Sequence, residues 1–177
     1  VKTVLGRDQA VLYLDYDGAL HHEAVYWRPN TFRPLLRAPE RYRLFQHTPL
    51  LQELMAPHPS IAIVLSTSWA HRYGIRKAAK ELPAGLRSRV IGSTYEARGS
   101  DFLYLSRGEQ VATDVDRRRP ARWLALDDDP SGWPDSALPY VVLTDPYEGI
   151  SPPELVEELR LRLAQLAGAP LPTSTLS

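Results

Sequence analysis

Val11-Leu12-Tyr13-Leu14-Asp15-Tyr16-Asp17-Gly18-Ala19-Leu20 carries an apolar run into two carboxylates and then into glycine. A short apolar run bounded by a turn signal reads as a strand buried on both faces, and in open α/β sheets the ligand crevice lies past the carboxyl ends of such strands. Alternate residues of an extended segment point the same way, so Asp15 and Asp17 can converge on one volume. Gly18 lets the chain leave at backbone angles that a side chain would forbid. Two acids meeting at a strand end ask for a cation.

Further along the chain the pattern repeats. Ile61-Ala62-Ile63-Val64-Leu65 has the β-branched composition of a central parallel strand and ends in Ser66-Thr67-Ser68-Trp69. Trp123-Leu124-Ala125-Leu126 runs into Asp127-Asp128-Asp129-Pro130, and Arg89 to Gly92 and Tyr140 to Leu143 supply two further short strands. Helical signals fall between them. Thr48-Pro49 opens a helix to about Ala56, and the segment Trp69 to Leu82 suits a helix despite Gly74. Ser106 with Glu109 forms a capping box for a helix to about Arg118. Ser151-Pro152-Pro153-Glu154 opens the last helix, with Leu155, Leu159, Leu163 and Leu166 on one face and Gly168 as its stop.

Strands alternating with helices imply an α/β fold: a Rossmann-like three-layer sandwich around a mostly parallel five-stranded sheet with right-handed crossovers. All carboxyl ends of such a sheet lie along one edge. Asp15 and Asp17, the hydroxyls Ser66 to Ser68, and Asp127 to Asp129 should therefore meet there, although they are far apart in sequence. Asp129, just before Pro130, reads as a turn residue. Residues 18–40 mix His21, His22, Tyr26, Trp27 and three prolines without a period, which predicts an irregular loop or hairpin folded over the site. Neighbouring side chains diverge, so His21 and His22 are expected to meet substrate or solvent rather than a metal. Arg117-Arg118-Arg119 and Arg122, beside Asp114 and Asp116, read as a solvated helix end.

Composition narrows the classes. The 177 residues contain 44% hydrophobic and 24% charged residues, which argues against disorder and against a membrane protein. One domain over residues 1–168 is expected, with a mobile Pro-, Ser- and Thr-rich tail over 169–177. Lys plus Arg and Asp plus Glu are both 21, so the net charge offers no long-range attraction for a polyanion, although a local patch could still bind one. No apolar run reaches the roughly 18 residues of a membrane helix, and Val1 to Arg7 lacks a signal-peptide core, so the expected location is cytoplasmic. Without cysteine, oxygen and imidazole are the available metal ligands, which favours a hard ion such as Mg²⁺.

Asp15-Tyr16-Asp17-Gly18-Ala19-Leu20 resembles the first motif, D-x-D-G-x-L, of the haloacid dehalogenase (HAD) superfamily of phosphotransferases. The strand ends at Ser66 and at Asp127-Asp128 are similar to its second and fourth motifs. This resemblance implies that Asp15 is the nucleophile and Asp17 the general acid/base. It also implies that Ser66, or Thr67 if the strand runs one residue longer, binds the phosphoryl oxygen. Mg²⁺ would be held by Asp15, Asp17 (through its backbone carbonyl), Asp127 and Asp128. The family's third-motif cation matches best at Arg107-Gly108, with Lys77 and Arg72 as competitors. No segment is long enough for a cap domain, so the implied form is capless with a flap, open to bulky phosphorylated substrates that include nucleic-acid ends. Ser66-Thr67-Ser68-Trp69, Ile91-Gly92-Ser93-Thr94, Arg107-Gly108-Glu109 and Leu143-Thr144-Asp145-Pro146 extend the likeness, over nearly residues 11 to 165, to small capless HAD domains associated with RNA-repair proteins. The implied activity is Mg²⁺-dependent hydrolysis of a phosphomonoester through an aspartyl phosphate. Two alternatives stay open at this point: a phosphoacceptor receiver domain, and a HAD-like binding or regulatory protein without activity.

Overall fold

A computed structural model describes residues 4–29, 31, 33–96 and 101–168. In chain order, β1 (Ala10–Leu14) is followed by a small antiparallel hairpin, β2 (Val25–Tyr26) and β3 (Leu35–Leu36), and by α1 (Thr48–Met55). Then come β4 (Ala62–Leu65), α2 (Ser68–Tyr73), α3 (Ile75–Ala79), α4 (Ala84–Arg87) and β5 (Val90–Ser93). The chain continues through α5 (Arg107–Arg118), β6 (Arg122–Asp127), β7 (Val141–Leu143) and α6 (Pro153–Ala167). The five-stranded sheet has the order β5-β4-β1-β6-β7, and every pairing in it is parallel.

Central position explains the composition of β1, which is buried at every residue. Its alternate side chains feed two cores. Leu12 and Leu14 join the core under α1, α6 and the helices after β4, whereas Val11 and Tyr13 pack with Val111 of α5 and with Trp133 on the other face. The leucines of α6 at positions 155, 159, 163 and 166 all lie in the first core. Each contributes about 1.5–3 kcal/mol by leaving water. Among the described residues no helix is long and apolar enough to cross a membrane.

Several local expectations need correction. The single helix expected over residues 69–82 is two helices, because Gly74 at φ 82° turns out of the helical region and its N–H caps the carbonyl of Ala70. The chain just past the end of that expected helix, after Pro83, forms a further short helix, α4. Ser106 and Glu109 do form a capping box, but Ser151 does not cap α6, since its hydroxyl donates to the Glu148 carbonyl. Thr48 likewise donates to Phe45 and lies within its helix. The basic run at the end of α5 is not solvated throughout. Arg118 and Asp114 are buried and paired at 2.6 Å; Asp114 also receives Tyr13 and Arg117, and Arg118 reaches Glu96 at 2.7 Å. A helix end packed across the sheet against Tyr13 puts these charges inside, where they persist by satisfying one another. The tail expected to be mobile, residues 169–177, lies outside the described residues.

Candidate active site

Strand register builds the site. Leu14 of β1 pairs with Leu65 of β4 and with Leu126 of β6, so the next residues, Asp15, Ser66 and Asp127, stand in a row at the carboxyl edge. The Asp15 N–H donates to the Leu126 carbonyl, and Ser66 N–H to the Leu14 carbonyl, which carries the row one step past the sheet. An open cavity of about 510 Å³ lies over this edge, lined by Asp15, Asp17, Arg107 and Asp127 to Asp129, with Glu23 and Pro146 on its rim. A larger cavity of about 690 Å³ lies at the opposite end of β6, around Arg122 and Trp123, away from these acids.

Asp15, Asp127 and Asp128 each present an oxygen within 4.8 Å of the others. Asp127 accepts the Asp129 N–H on Oδ1, while its Oδ2 is buried without a hydrogen-bond partner among the described residues. Burial, followed by the charge of Asp15, pushes Asp127 up to about 8 and Asp128 up to about 7. Asp15 is also raised, chiefly by burial and further by Asp17, against the pull of Arg107, of the Tyr16 N–H at 2.7 Å and of the Thr67 hydroxyl. The Arg107 Nε stands 3.8 Å from Asp15 and 3.9 Å from Asp127. Burial opposes its charge, but Asp15, Tyr95 and Asp127 together outweigh burial and hold the guanidinium protonated. Three carboxylates against one guanidinium leave two negative charges, which matches one divalent ion. An all-oxygen set with an orphaned buried oxygen suits Mg²⁺. Asp15, Asp127 and Asp128 are the residues that would hold it.

Two close approaches set this geometry. Gly18, at φ 70°, lies so near Asp128 that a Cβ would meet its carboxyl at 2.2 Å, so the turn after Asp17 and the acid pair fit only around a glycine. Gly108 does the same for the cation. A Cβ there would meet the Gly132 carbonyl and Trp133 at 2.6 Å, and Ser106 Oγ donates to that carbonyl, docking the start of α5 against the loop after Asp129. This contact turns Arg107 toward the acids.

Asp17 stands apart from the three clustered carboxylates. Its Oδ1 receives the indole N–H of Trp69 at 2.8 Å and contacts His21 Nε2 at 2.9 Å. His21 Nδ1 accepts the Phe45 N–H, so the proton of the neutral ring must sit on Nε2 and point at Asp17. His21 is fully buried, so the expectation that it meets substrate or solvent is overturned; the tight turn from Asp17 folds it back onto that carboxylate. His22 is half-buried against Tyr42 and Tyr147. Ser66 is not brought to the cavity: its hydroxyl is buried without a partner among the described residues. Thr67 contacts Asp15 and accepts the Trp69 N–H. Of the competitors for the third-motif cation, Arg72 lies over the Trp27 ring and Lys77 is exposed on α3; neither lines the cavity. Asp129 accepts Ser131 N–H and Oγ–H as a turn residue would.

Sequence reasoning missed His21 and Trp69 as partners of Asp17. The Trp immediately after the hydroxyl cluster was the available signal for the second. Thr144 was missed too, and its hydroxyl donates to the Gly18 carbonyl at 2.7 Å, tying the end of β7 to the Asp17 turn.

Residues 11–155 match the family model described as the HAD domain in Swiss Army Knife RNA repair proteins. The chain belongs to that family. Comparison with curated proteins and with solved structures gives no match. The matched span of this HAD domain takes in the whole acid edge, Arg107 and the flap between β1 and α1.

Proposed function

We propose that this HAD domain is a Mg²⁺-dependent phosphomonoesterase that works through an aspartyl phosphate on Asp15 and acts on phosphorylated ends of nucleic acid. The observation that carries the reading is one acid, Asp15, set between a guanidinium and two further carboxylates at the floor of an open cavity. A receiver domain would need an acceptor acid after its third strand, but β5 ends in Ser93. Phosphomonoesters resist attack by anions, so positioning and positive charge near the transferred group lower the barrier. Bound Mg²⁺ would supply positive charge against the phosphoryl oxygens and keep the carboxylates around it ionised.

An ionised Asp15 oxygen attacks phosphorus and the ester P–O bond breaks. The leaving alkoxide takes the proton from Asp17. Asp17 presents it on Oδ2, because Oδ1 is occupied by Trp69 and His21. In the second half, Asp17 takes a proton from water, whose oxygen attacks phosphorus; inorganic phosphate leaves and Asp15 is restored. Arg107 offsets the charge of Asp15 and faces the incoming phosphoryl group. An open cavity with a flap in place of a cap suits a phosphate at the end of a bulky chain, and the description of the matched family points to RNA.

The test is a hydrolysis screen with Mg²⁺ against nitrophenyl phosphate, phosphopeptides and oligonucleotides phosphorylated at the 3′ or 5′ end, with Asp15→Asn beside it. Release of phosphate from an oligonucleotide end, abolished by EDTA and by Asp15→Asn, is the expected result. Full activity in excess EDTA refutes the metal requirement, and an active Asp15→Asn refutes the nucleophile.

A further inference from the structure

Overall neutrality hides a strong division of charge. Residues 24–95 hold eleven Lys and Arg against three Asp and Glu, and the rest of the chain holds ten against eighteen. The catalytic edge and α6 fall in the acidic part; the flap and the helices after β4 fall in the basic part. Five arginines lie in the flap between residues 28 and 43, and each one is exposed.

These arginines are arranged on aromatic rings. The Arg37 guanidinium lies 5.0 Å over Tyr26, and Arg72 of α2 lies 4.7 Å over Trp27. Among the described residues, none of Arg28, Arg33, Arg37 and Arg72 is in an ion pair, so their charge is available to an outside anion. The patch is continuous with the site. Trp27 packs on Trp69 at 5.2 Å, and Trp69 donates to Asp17. The flap leaves the cavity wall at Glu23, two residues before β2.

We infer that the exposed arginines and aromatic rings of the flap and α2 form the track for a single nucleic-acid strand whose terminal phosphate reaches the Asp15 edge. The chemistry at the strand's end rests on the phosphatase reading, but the track does not. Planar guanidinium forks suit phosphate oxygens, and an exposed tyrosine, Tyr26, offers a base a stacking surface. Aromatic rings interleaved with arginines favour a strand of unpaired bases over a duplex, whose bases are stacked on one another, and over a lipid surface, which has no rings to stack. The acidic remainder of the protein repels the chain elsewhere and so confines it to this face.

The test separates binding from turnover. Anisotropy of a fluorescein-labelled 12-mer oligoribonucleotide with a terminal phosphate is read in EDTA, across a salt series, for the wild type and for Arg33→Ser/Arg37→Ser/Arg72→Ser. The triple variant should bind about tenfold or more weakly, and its slope of log affinity against log salt should be shallower by about 2, at roughly 0.7 per lost phosphate contact. Its hydrolysis of nitrophenyl phosphate with Mg²⁺ should stay within about twofold of wild type. Tyr26→Ala should weaken single-strand binding by about tenfold and duplex binding much less. If the triple variant melts early, Arg33→Glu, an exposed single reversal, carries the same expectation of a several-fold loss. Unchanged affinity in these variants overturns the inference, as does wild-type binding that ignores salt or prefers phosphatidylserine vesicles to the strand. A wild type that binds the strand through this face and hydrolyses no ester overturns the phosphatase reading alone.

Discussion

Asp128→Asn in the metal-free protein tests whether the acid cluster is built around a missing positive charge. Burial first, and the Asp15 charge second, lift Asp128 from its ordinary 3.8 to about 7. A carboxyl raised in the folded state takes up a proton on folding. Its contribution is therefore fully favourable below about pH 4, is lost as the pH rises to about 7, and is flat above. At about 1.4 kcal/mol per pH unit the full separation would cost about 4 kcal/mol, but Asp128 is only partly buried, and solvent screening reduces this to about 1–2 kcal/mol. Asparagine keeps the shape and removes the charge. In EDTA near pH 8 the variant should gain about 1–2 kcal/mol, which raises the melting temperature by about 2–8 °C for a chain of this size. Near pH 5 only about one of those three pH units has been traversed, so the gain should be about a third as large. Saturating Mg²⁺ should reverse the order, because the wild type gains binding energy that the variant, lacking one carboxylate ligand, does not. Thermal scans at the two pH values, with and without metal, read all of this. An Asn variant that melts below wild type in EDTA near pH 8, or that gains equally at both pH values, refutes the electrostatic reasoning.

Other expectations follow from the separate environments of the residues. Asp15→Asn should abolish hydrolysis of all esters, whereas Asp17→Asn should keep far more activity on nitrophenyl phosphate than on an alkyl phosphate, since the proton is worth about 10²- to 10⁴-fold only where the leaving group needs it; steady-state rates on the two esters decide this. His21→Phe keeps a buried ring but removes the Nε2–H donor, so it should follow the same ester-dependent pattern more weakly, with partial rescue by His21→Gln and with Mg²⁺ affinity unchanged in a titration. Arg118→Met takes from buried Asp114 one of its two guanidinium partners while Arg117 and Tyr13 remain, and urea unfolding should show a loss of about 1.5–3 kcal/mol while Mg²⁺ binding at the acid edge is retained.

The strands and the main helices were legible because the strand signals are local: a short apolar run ending in polar residues identifies β1, β4 and β6 wherever they pair. The edge that gathers Asp15, Asp127 and Asp128 followed from parallel topology alone. Arg107 could be chosen as a candidate by its place next to Gly108, but its aim depends on Gly108 packing under Gly132, a contact between residues 24 apart that no local pattern encodes. Burial was the weaker inference. Asp114 and Arg118 look like any helix-end pair, and only the packing of α5 against Tyr13 puts them inside. His21 was misread for the same reason: its contact with Asp17 is only four residues away, but its burial comes from Phe45 and Trp69, which are far along the chain.

Asp15 and Asp17 are two residues apart, yet the fold gives them opposite surroundings. Asp15 faces Arg107, Asp127 and Asp128, a group of charges that a further cation would balance and that would then hold Asp15 ionised, as the proposed nucleophile must be. Asp17 is held by two N–H donors of an aromatic cluster, both on one oxygen, and it lines the cavity. The first arrangement works through charge, the second through orientation. Acid and base roles can be kept apart in one site only when neighbouring carboxyls differ in this way. The device that separates them is the turn at Gly18: it presses against Asp128 on one side and on the other closes the short bridge from Asp17 to His21, so that one turn fixes both environments.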